Sequence, residues 1–280
     1  METMGSINKK QCGVRSMRKM IGCAALAASL FAAPAGVAQE WANLEVTFVY
    51  DGDKIPARKE LDMSKDPVCA KKQMDELLIV NATNKGIKNV GFWVDKAKSK
   101  LTEADIHPSM KDVPTAKLLL DNKDCVFMPH FLIARSGQTI EVKNSDSTGH
   151  NANFNFINNQ GVNFVVAANS SQDLTLGKGI VEPAPIPVQC NVHPWMEAKL
   201  MVIDHPYGAV SDENGVLKME KLPAGKALTF KLFHENQNKL EEVEVDGKKQ
   251  EWKKGFGEMT LKAGDNKMTI KISSSKFKNK

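Results

Sequence analysis

One seven-residue loop and one distant histidine carry the most specific chemistry in this sequence. The loop reads Cys-Asn-Val-His-Pro-Trp-Met over residues 190–196, so Cys190, His193 and Met196 supply a thiolate, an imidazole and a thioether. His150 lies 40 residues before the cysteine, at the end of a strand-like segment and a polar turn. Soft sulfur ligands combined with imidazole select copper, and two histidines, one cysteine and a weakly bound methionine make an electron-transfer site. These residues therefore predict a copper site.

Short strands must position these side chains, because helical periodicity is scarce. Alternating or β-branched runs are separated by Gly, Asn, Asp and Pro, which is the pattern of a β-sandwich or barrel. The predicted strands are 44–50, 76–80, 90–94, 131–134, 139–142, 162–167, 199–203, 227–233 and 268–272. Residues 97–120 favour a short helix or a long excursion. The predicted fold class is therefore all-β.

The ligand loop resembles that of the cupredoxin family of type 1 blue copper proteins, in its amicyanin-like and plastocyanin-like members. The amicyanin pattern is Cys-x-x-His-Pro-aromatic-Met, and the spacing from the first histidine to the cysteine is also similar. The resemblance covers residues 125–203 well and residues 41–124 only loosely. It implies a Greek-key β-sandwich that holds one type 1 copper ion.

Carried over residue by residue, the resemblance makes His150, Cys190 and His193 the equatorial ligands and Met196 the axial ligand. It implies a protein that carries single electrons between redox protein partners and has no chemical substrate. Met201 competes for the axial position, but it lies in the strand-like run 199–203, where core packing is the favoured role.

Residues beside the ligands have predicted roles of their own. Asn151 would place its N–H near the thiolate and brace the ligand loop with its side chain. Pro194 would stiffen the loop, and the Val192 N–H would give the thiolate a second hydrogen bond. Pro194 and Trp195 would form the docking face for a partner, around an exposed edge of His193.

Other metal sites are less well supported by the sequence. Cys125 lies five residues before His130, but no further Cys or His falls at a supporting spacing. The single loop cysteine excludes a binuclear copper centre, and the chain has no Cys-x-x-Cys-His haem motif. Isolated histidines with structural or surface roles are His107, His205 and His234.

The first 38 residues have the pattern of a secretory signal peptide. Five basic residues precede an apolar run from 20 to 33, which is followed by small residues up to Ala38. The apolar run is too short to span a bilayer, and no other segment could do so. We expect cleavage after Ala38 and a periplasmic, secreted or cell-surface protein, with an uncleaved anchor as the alternative.

Export changes the charge and cysteine counts. Removing residues 1–38 leaves 33 basic and 32 acidic residues, so nucleic-acid binding loses its electrostatic support. Three cysteines remain. Cys69 and Cys125 have no ligand-like surroundings, and an oxidising compartment favours a disulfide between them.

A domain boundary is predicted between residues 205 and 206. Residues 39–205 would form the copper domain, with an extension over 39–124 and the copper-binding core over 125–203. Residues 206–280 would form the second domain, in which segment 206–234 resembles carboxypeptidase regulatory-like domains, which are small transthyretin-type sandwiches. The order of the two domains resembles bacterial exported proteins described as methylamine-utilisation proteins.

Three functions follow from these expectations, in decreasing order of support. The first is an electron carrier. The second is a copper carrier or a cell-surface interaction protein, which the appended sandwich would suit. The third is an enzyme with an open copper position, against which the methionine in the loop argues.

Overall fold

Alternation of apolar and polar residues gives the part of the chain that the structure describes many strands and almost no helix. The computed structural model describes residues 39–64, 66–70, 72–237 and 240–278, so the predicted signal peptide lies outside the described residues. In the first strand every second side chain is buried, as the pleat of a strand requires. The all-β prediction is confirmed.

The strands in the described part of the chain are β1 (Trp41–Asp51), β2 (Gly91–Val94), β3 (Leu118–Lys123), β4 (Val126–Met128), β5 (Phe131–Arg135), β6 (Thr139–Asn144), β7 (His150–Phe154), β8 (Val162–Val166), β9 (Ser170–Thr175), β10 (Ile186–Gln189), β11 (Glu197–Ile203), β12 (Gly208–Val210), β13 (Val216–Pro223), β14 (Ala227–Phe233), β15 (Glu242–Val245), β16 (Lys248–Glu251), β17 (Phe256–Thr260) and β18 (Gly264–Ser273).

Two sheets enclose one core and form what we term the ligand sandwich. Their strand orders are β4-β3-β6-β9 and β5-β11-β10-β7-β8. Leu120, Phe127 and Ile140 from the first sheet pack against Phe154 and Leu200 from the second, and all five are fully buried. The predicted ligands lie at one end of this sandwich.

Two further sheets form the terminal sandwich, with strand orders β13-β1-β18-β15-β16 and β12-β2-β14-β17. Its core includes Phe48, Phe92, Phe230 and Trp252, which are buried almost completely. The Phe92 and Phe230 rings stack with their centroids 4.8 Å apart. Aromatic residues thus supply several of the largest side chains of this second core.

The terminal sandwich takes strands from both sides of the predicted boundary at residues 205 and 206. β1 lies between β13 and β18, antiparallel to the first and parallel to the second. β2 pairs with β12 and β14. Two strands from the segment assigned to the copper domain therefore complete the sandwich formed by residues 206–280.

One local strand prediction differs from the structure. Residues 76–80 form no strand, and only Leu78 among them is deeply buried. Residues 97–120 form the long excursion that was one of the two expectations, with two 3-10 turns, Glu103–Asp105 and Pro108–Met110, before β3 begins. No helix in the described residues is long and apolar enough to cross a membrane.

Candidate metal centre

Neighbouring strands bring the predicted ligands to one end of the ligand sandwich. His150 is the first residue of β7, and Cys190 directly follows β10, which pairs antiparallel with β7. The loop between β10 and β11 closes on itself, because the Cys190 N–H donates to the Met196 carbonyl at 3.1 Å and the Met196 N–H to the His193 carbonyl at 2.9 Å. This turn carries His193 back towards His150.

Three donor atoms converge within this end of the sandwich. The Nδ1 atoms of His150 and His193 are 2.9 Å apart, and the Cys190 Sγ lies 3.6 Å from the His193 Nδ1. All three donor atoms lie within 4.8 Å of one another, and no side chain is more than 2% exposed. Metal–nitrogen bonds of about 2.0 Å and metal–sulfur bonds of about 2.3 Å allow separations up to roughly 4 Å. The two separations from the His193 Nδ1 lie within this reach, as a shared metal ion requires.

A carboxylate accepts a hydrogen bond from the far side of each imidazole. His150 Nε2 lies 3.0 Å from an Asp146 oxygen, and His193 Nε2 lies 3.0 Å from an Asp66 oxygen. An Nε2–H that donates to a carboxylate leaves the Nδ1 lone pair free for a metal. The two Nδ1 atoms lie within hydrogen-bond distance of each other, and the cysteine sulfur lies beside that of His193.

Burial keeps His150 in the neutral form that a metal needs. Loss of hydration lowers the pKa of His150 below its ordinary value, and this effect exceeds the opposing influence of Asp146. The pKa of Asp66 is also lowered, first by the hydrogen bond from the Cys69 N–H and then by that from His193. Asp66 is therefore ionised at neutral pH and accepts the imidazole N–H.

The two candidate axial methionines lie in different surroundings. Met196 is buried in the same core cluster as Cys190 and belongs to the ligand loop. Met201 is buried in a separate cluster with Trp93, Phe131 and Ile203. Met201 is therefore a packing residue.

Asn151 contacts the ligand loop as expected, but through its side chain alone. Its Oδ1 accepts the Asn191 N–H at 2.7 Å and lies 3.4 Å from the Cys190 Sγ. The expected hydrogen bond from the Val192 N–H to this sulfur is not formed, and the Val192 side chain is exposed. Pro194 is also exposed.

The expectation of an exposed His193 edge is wrong. His193 is 2% exposed, because Asp66 covers its Nε2. The Trp195 ring is half-buried with its centroid 5.2 Å from that of His193, and its indole N–H donates to the Cys125 carbonyl at 3.0 Å. The residues predicted as the docking face thus surround a covered imidazole.

The predicted disulfide between Cys69 and Cys125 is confirmed, and Cys190 is the free cysteine of the described residues. The disulfide borders the metal centre, since the Cys69 Sγ lies 3.8 Å from the His193 Nε2. A second metal site at Cys125 is excluded while the disulfide is formed, because this sulfur is already bonded.

The remaining histidines are not ligands of the centre. The His130 ring contacts the carboxylates of Glu76 and Glu235. His205 and His234 are buried rather than on the surface, and burial lowers the pKa of each to about 4. The His107 ring accepts the Ser109 N–H.

Asp66 and Asp146 are the functional residues that sequence reasoning missed. Asp146 could have been found, because it precedes His150 by four residues in the same polar turn. Asp66 is 127 residues from His193, and no spacing rule connects the two. Only the folded excursion between β1 and β2 brings Asp66 to the ligand loop.

No family model and no curated protein matches this chain. Among solved structures, a Cu(I) form of an amicyanin variant is similar at 18% identity over 33% of this chain and 87% of that chain, with a TM-score of 0.28. The copper-containing nitrite reductase from Thermus scotoductus SA-01 is similar at 21% identity over 35% of this chain and 25% of that chain, with a TM-score of 0.27. These structural neighbours are copper proteins, and each similarity covers about a third of the present chain.

Proposed function

We propose that this chain is an exported copper protein that carries single electrons between redox protein partners. One type 1 copper ion would be held by His150, Cys190 and His193, with Met196 as the axial ligand. The observation that carries this proposal is the convergence of two imidazole Nδ1 atoms and one cysteine sulfur in a buried pocket. Two histidines, one cysteine and a weak methionine are the ligand set of copper electron-transfer sites.

Each side chain has a defined part in this function. The bound ion would supply a one-electron couple between Cu(I) and Cu(II). The closed loop and the neighbouring strands hold His150, Cys190 and His193 in place whatever the oxidation state. Burial keeps water from the donors, and Asp66 and Asp146 accept hydrogen bonds from the Nε2 atoms, so that the Nδ1 atoms are the ones available to the ion. Little would need to move when a bound ion gained or lost an electron, so transfer would be fast.

We assign no catalytic residues to this site. An enzyme would need an open position next to the metal where a substrate could bind. Three buried donors and Met196 would occupy the positions around the ion. Electron transfer needs only a docking face, for which the half-buried Trp195 beside Pro194 is the candidate.

Export is part of the proposal. The buried Cys69–Cys125 disulfide suits an oxidising compartment such as the periplasm or the cell surface. The predicted signal peptide over residues 1–38 agrees with that location. The near-neutral remainder of the chain gives no reason to expect a nucleic acid as a partner.

A copper carrier is the second candidate, and one observation favours it. Asp66 covers the His193 edge, and burial on this side lengthens the path from the metal to a docked partner. In a protein that stores or delivers copper, such a cover would help to retain the ion. In an electron carrier, the electron would have to cross this longer path. The same residues would bind the metal in both cases.

One experiment separates the two candidates. Residues 39–280 are loaded with Cu(II), and the visible spectrum is followed through a redox titration. An intense sulfur-to-copper band with reversible one-electron cycling, lost in Cys190→Ala, supports the electron carrier. Tight Cu(I) binding without reversible cycling supports the copper carrier, and no coloured or Cu(I)-bound form would contradict both.

Two matched variants test the axial ligand. Met196→Leu should shift the midpoint potential and the spectrum, because it removes the thioether from the ligand loop. Met201→Leu should leave both unchanged, because Met201 packs in a separate cluster. An equal shift in the two variants would contradict the assignment of Met196.

A further inference from the structure

The Cys69 half of the disulfide is connected to one ligand imidazole through a carboxylate. The Cys69 N–H donates to the Asp66 Oδ1 at 2.9 Å, and the Val68 N–H donates to the same oxygen at 2.8 Å. The other oxygen of Asp66 accepts from His193 Nε2 at 3.0 Å. The backbone beside the sulfur thus fixes the carboxylate that orients His193.

The Cys125 half repeats this arrangement on the other imidazole. The Cys125 N–H donates to the Asp146 Oδ2 at 2.8 Å, and the Asp124 N–H donates to the Oδ1 at 2.7 Å. The Asp146 Oδ2 also accepts from His150 Nε2 at 3.0 Å. Both cysteines of one disulfide therefore hold, through their own N–H groups, a carboxylate that holds a ligand histidine.

The disulfide is the covalent part of this connection. Asp66 lies in the excursion between β1 and β2, whereas Asp146 lies between β6 and β7 in the ligand sandwich. Cys69 and Cys125 are separated by 56 residues, so the bond joins the excursion to the sandwich beside the metal centre. Both sulfurs are buried, with 0% and 2% exposure.

We propose that the Cys69–Cys125 disulfide clamps the metal centre through Asp66 and Asp146, which act as positioning residues for His193 and His150. The inference rests on the proposed metal-binding function of that site. Breaking the clamp leaves the three donors in the chain but frees the imidazoles to rotate and to change tautomer. The metal is then held less tightly, and its release becomes faster.

The first test uses the metal-free protein, so that it does not depend on copper binding. Residues 39–280 are labelled with ¹⁵N in the histidines, and the protonated nitrogen of each ring is identified by NMR. His150 and His193 should both carry the proton on Nε2. Asp66→Ala should change the tautomer population of His193 and not that of His150, and Asp146→Ala should do the reverse. Unchanged tautomers in both variants would overturn the proposal.

The second test measures copper release to a chromophoric Cu(I) chelator. Removing the outer partner of a ligand histidine typically weakens metal binding 10–100-fold. We expect Asp66→Ala to accelerate release by about that factor, and Asp66→Glu to restore most of the retention. Asp53→Ala removes the same charge from an exposed site and should release copper at the parent rate. Equal rates in Asp66→Ala and the parent would overturn the proposal.

The third test asks whether the carboxylate acts through the disulfide. Cys69→Ala/Cys125→Ala removes the bond without creating new thiol ligands, and release is measured with and without Asp66→Ala. If the bond positions the carboxylate, the added effect of Asp66→Ala should shrink several-fold in the bond-free chain. Full additivity would show that the disulfide does not act through Asp66. Should the double cysteine variant fail to fold, the two single aspartate variants still decide the positioning role.

These outcomes separate the clamp from the proposed function. A parent chain that binds no copper would contradict the function, while the tautomers of the metal-free protein would still test the clamp. A parent chain that binds copper but shows no effect of Asp66→Ala would contradict the clamp alone. The midpoint potential gives a further readout, because loss of the Asp66 charge should raise it whereas Asp53→Ala should not.

Discussion

At the scale of single residues, the centre depends on side chains that fix the orientation of the donors. Asp66 and Asp146 set the tautomer of the imidazoles, and Asn151 braces the loop that carries the thiolate. None of the three is itself a proposed ligand. The orientation of the donor atoms therefore depends on these neighbours as well as on the backbone that carries the donors.

Asn151→Ala should loosen the ligand loop. The change leaves the Asn191 N–H without its acceptor, which costs about 1–2 kcal/mol of unfolding free energy. Urea unfolding of the metal-free chain measures this loss. Asn155→Ala, on an exposed side chain of the same segment, should change stability by less than about 0.5 kcal/mol. A loss of the same size in both variants would contradict the bracing role.

The ligand loop could be predicted from the sequence, whereas the hydrogen-bonding partners of its residues could not. Cys190 and His193 are close in the chain, so their spacing alone predicted the ligand loop. Their hydrogen-bonding partners depend on where the chain returns after long excursions, which no local pattern encodes. The buried edge of His193 escaped prediction for the same reason, since Asp66 reaches it from 127 residues away.

At the scale of secondary structure elements, the pairing of β1 organises the terminal sandwich. This strand is central in its sheet, with β13 on one side and β18 on the other. Its alternating pattern predicted a strand over residues 44–50, and the structure has one over Trp41–Asp51. Alternation does not name the partner of a strand, so the sequence could not show that β1 pairs beyond residue 206.

Phe48→Ala tests the dependence of residues 206–280 on β1. Phe48 is fully buried and contacts Phe92 edge-on, with the ring centroids 5.5 Å apart. Truncation of a buried Phe should cost about 3–5 kcal/mol. Hydrogen exchange should accelerate in β13 and β18, which flank the strand.

Thr47→Ala provides the control for Phe48→Ala. Thr47 points to the opposite face of β1 and is only half-buried. It should cost less than about 1 kcal/mol and leave exchange in the neighbouring strands nearly unchanged. Normal protection of β13 and β18 in Phe48→Ala would mean that residues 206–280 fold without β1.

At the scale of the whole molecule, two buried histidines make stability depend on pH. Burial lowers the pKa of His205 and of His234 from 6.5 to about 4, and Asp204 and Glu235 offset this only in part. Because each histidine has a lower pKa in the folded chain than in the unfolded chain, the unfolded chain binds protons at a higher pH than the folded chain does. The stability contribution is therefore full above pH 6.5 and is lost as the pH falls towards about 4.

The lowered pKa values of His205 and His234 set the size of the stability loss in acid. Between about pH 7.5 and pH 5, each histidine should cost on the order of 2 kcal/mol of unfolding free energy. Urea titrations of the metal-free chain at the two pH values measure the loss. His234→Asn should reduce it by the share of one histidine. An undiminished acid effect in His234→Asn and in His205→Asn would contradict this assignment.

The fold class could be predicted from the sequence, but the assignment of strands to the two sandwiches could not. The composition and turn spacing predicted an all-β chain with two sandwiches, and the two cores are observed. The expected division at residue 205 assumed that each sandwich is continuous in sequence. Instead, β1 and β2 belong to the terminal sandwich. The strands of the ligand sandwich, β3 to β11, lie between β2 and β12 in the sequence.

X-ray absorption at the copper edge shows whether Cys190 and two imidazoles bind one copper ion. Residues 39–280 are loaded with one equivalent of Cu(I) or Cu(II), and the ligand shell is compared with that of Cys190→Ala. If His150, Cys190 and His193 are the ligands, we expect one short copper–sulfur bond and two imidazole nitrogens in both oxidation states. The short sulfur contribution should be absent from the variant. A shell of oxygen and nitrogen alone in the parent chain, or a sulfur contribution that persists in Cys190→Ala, would contradict this ligand set.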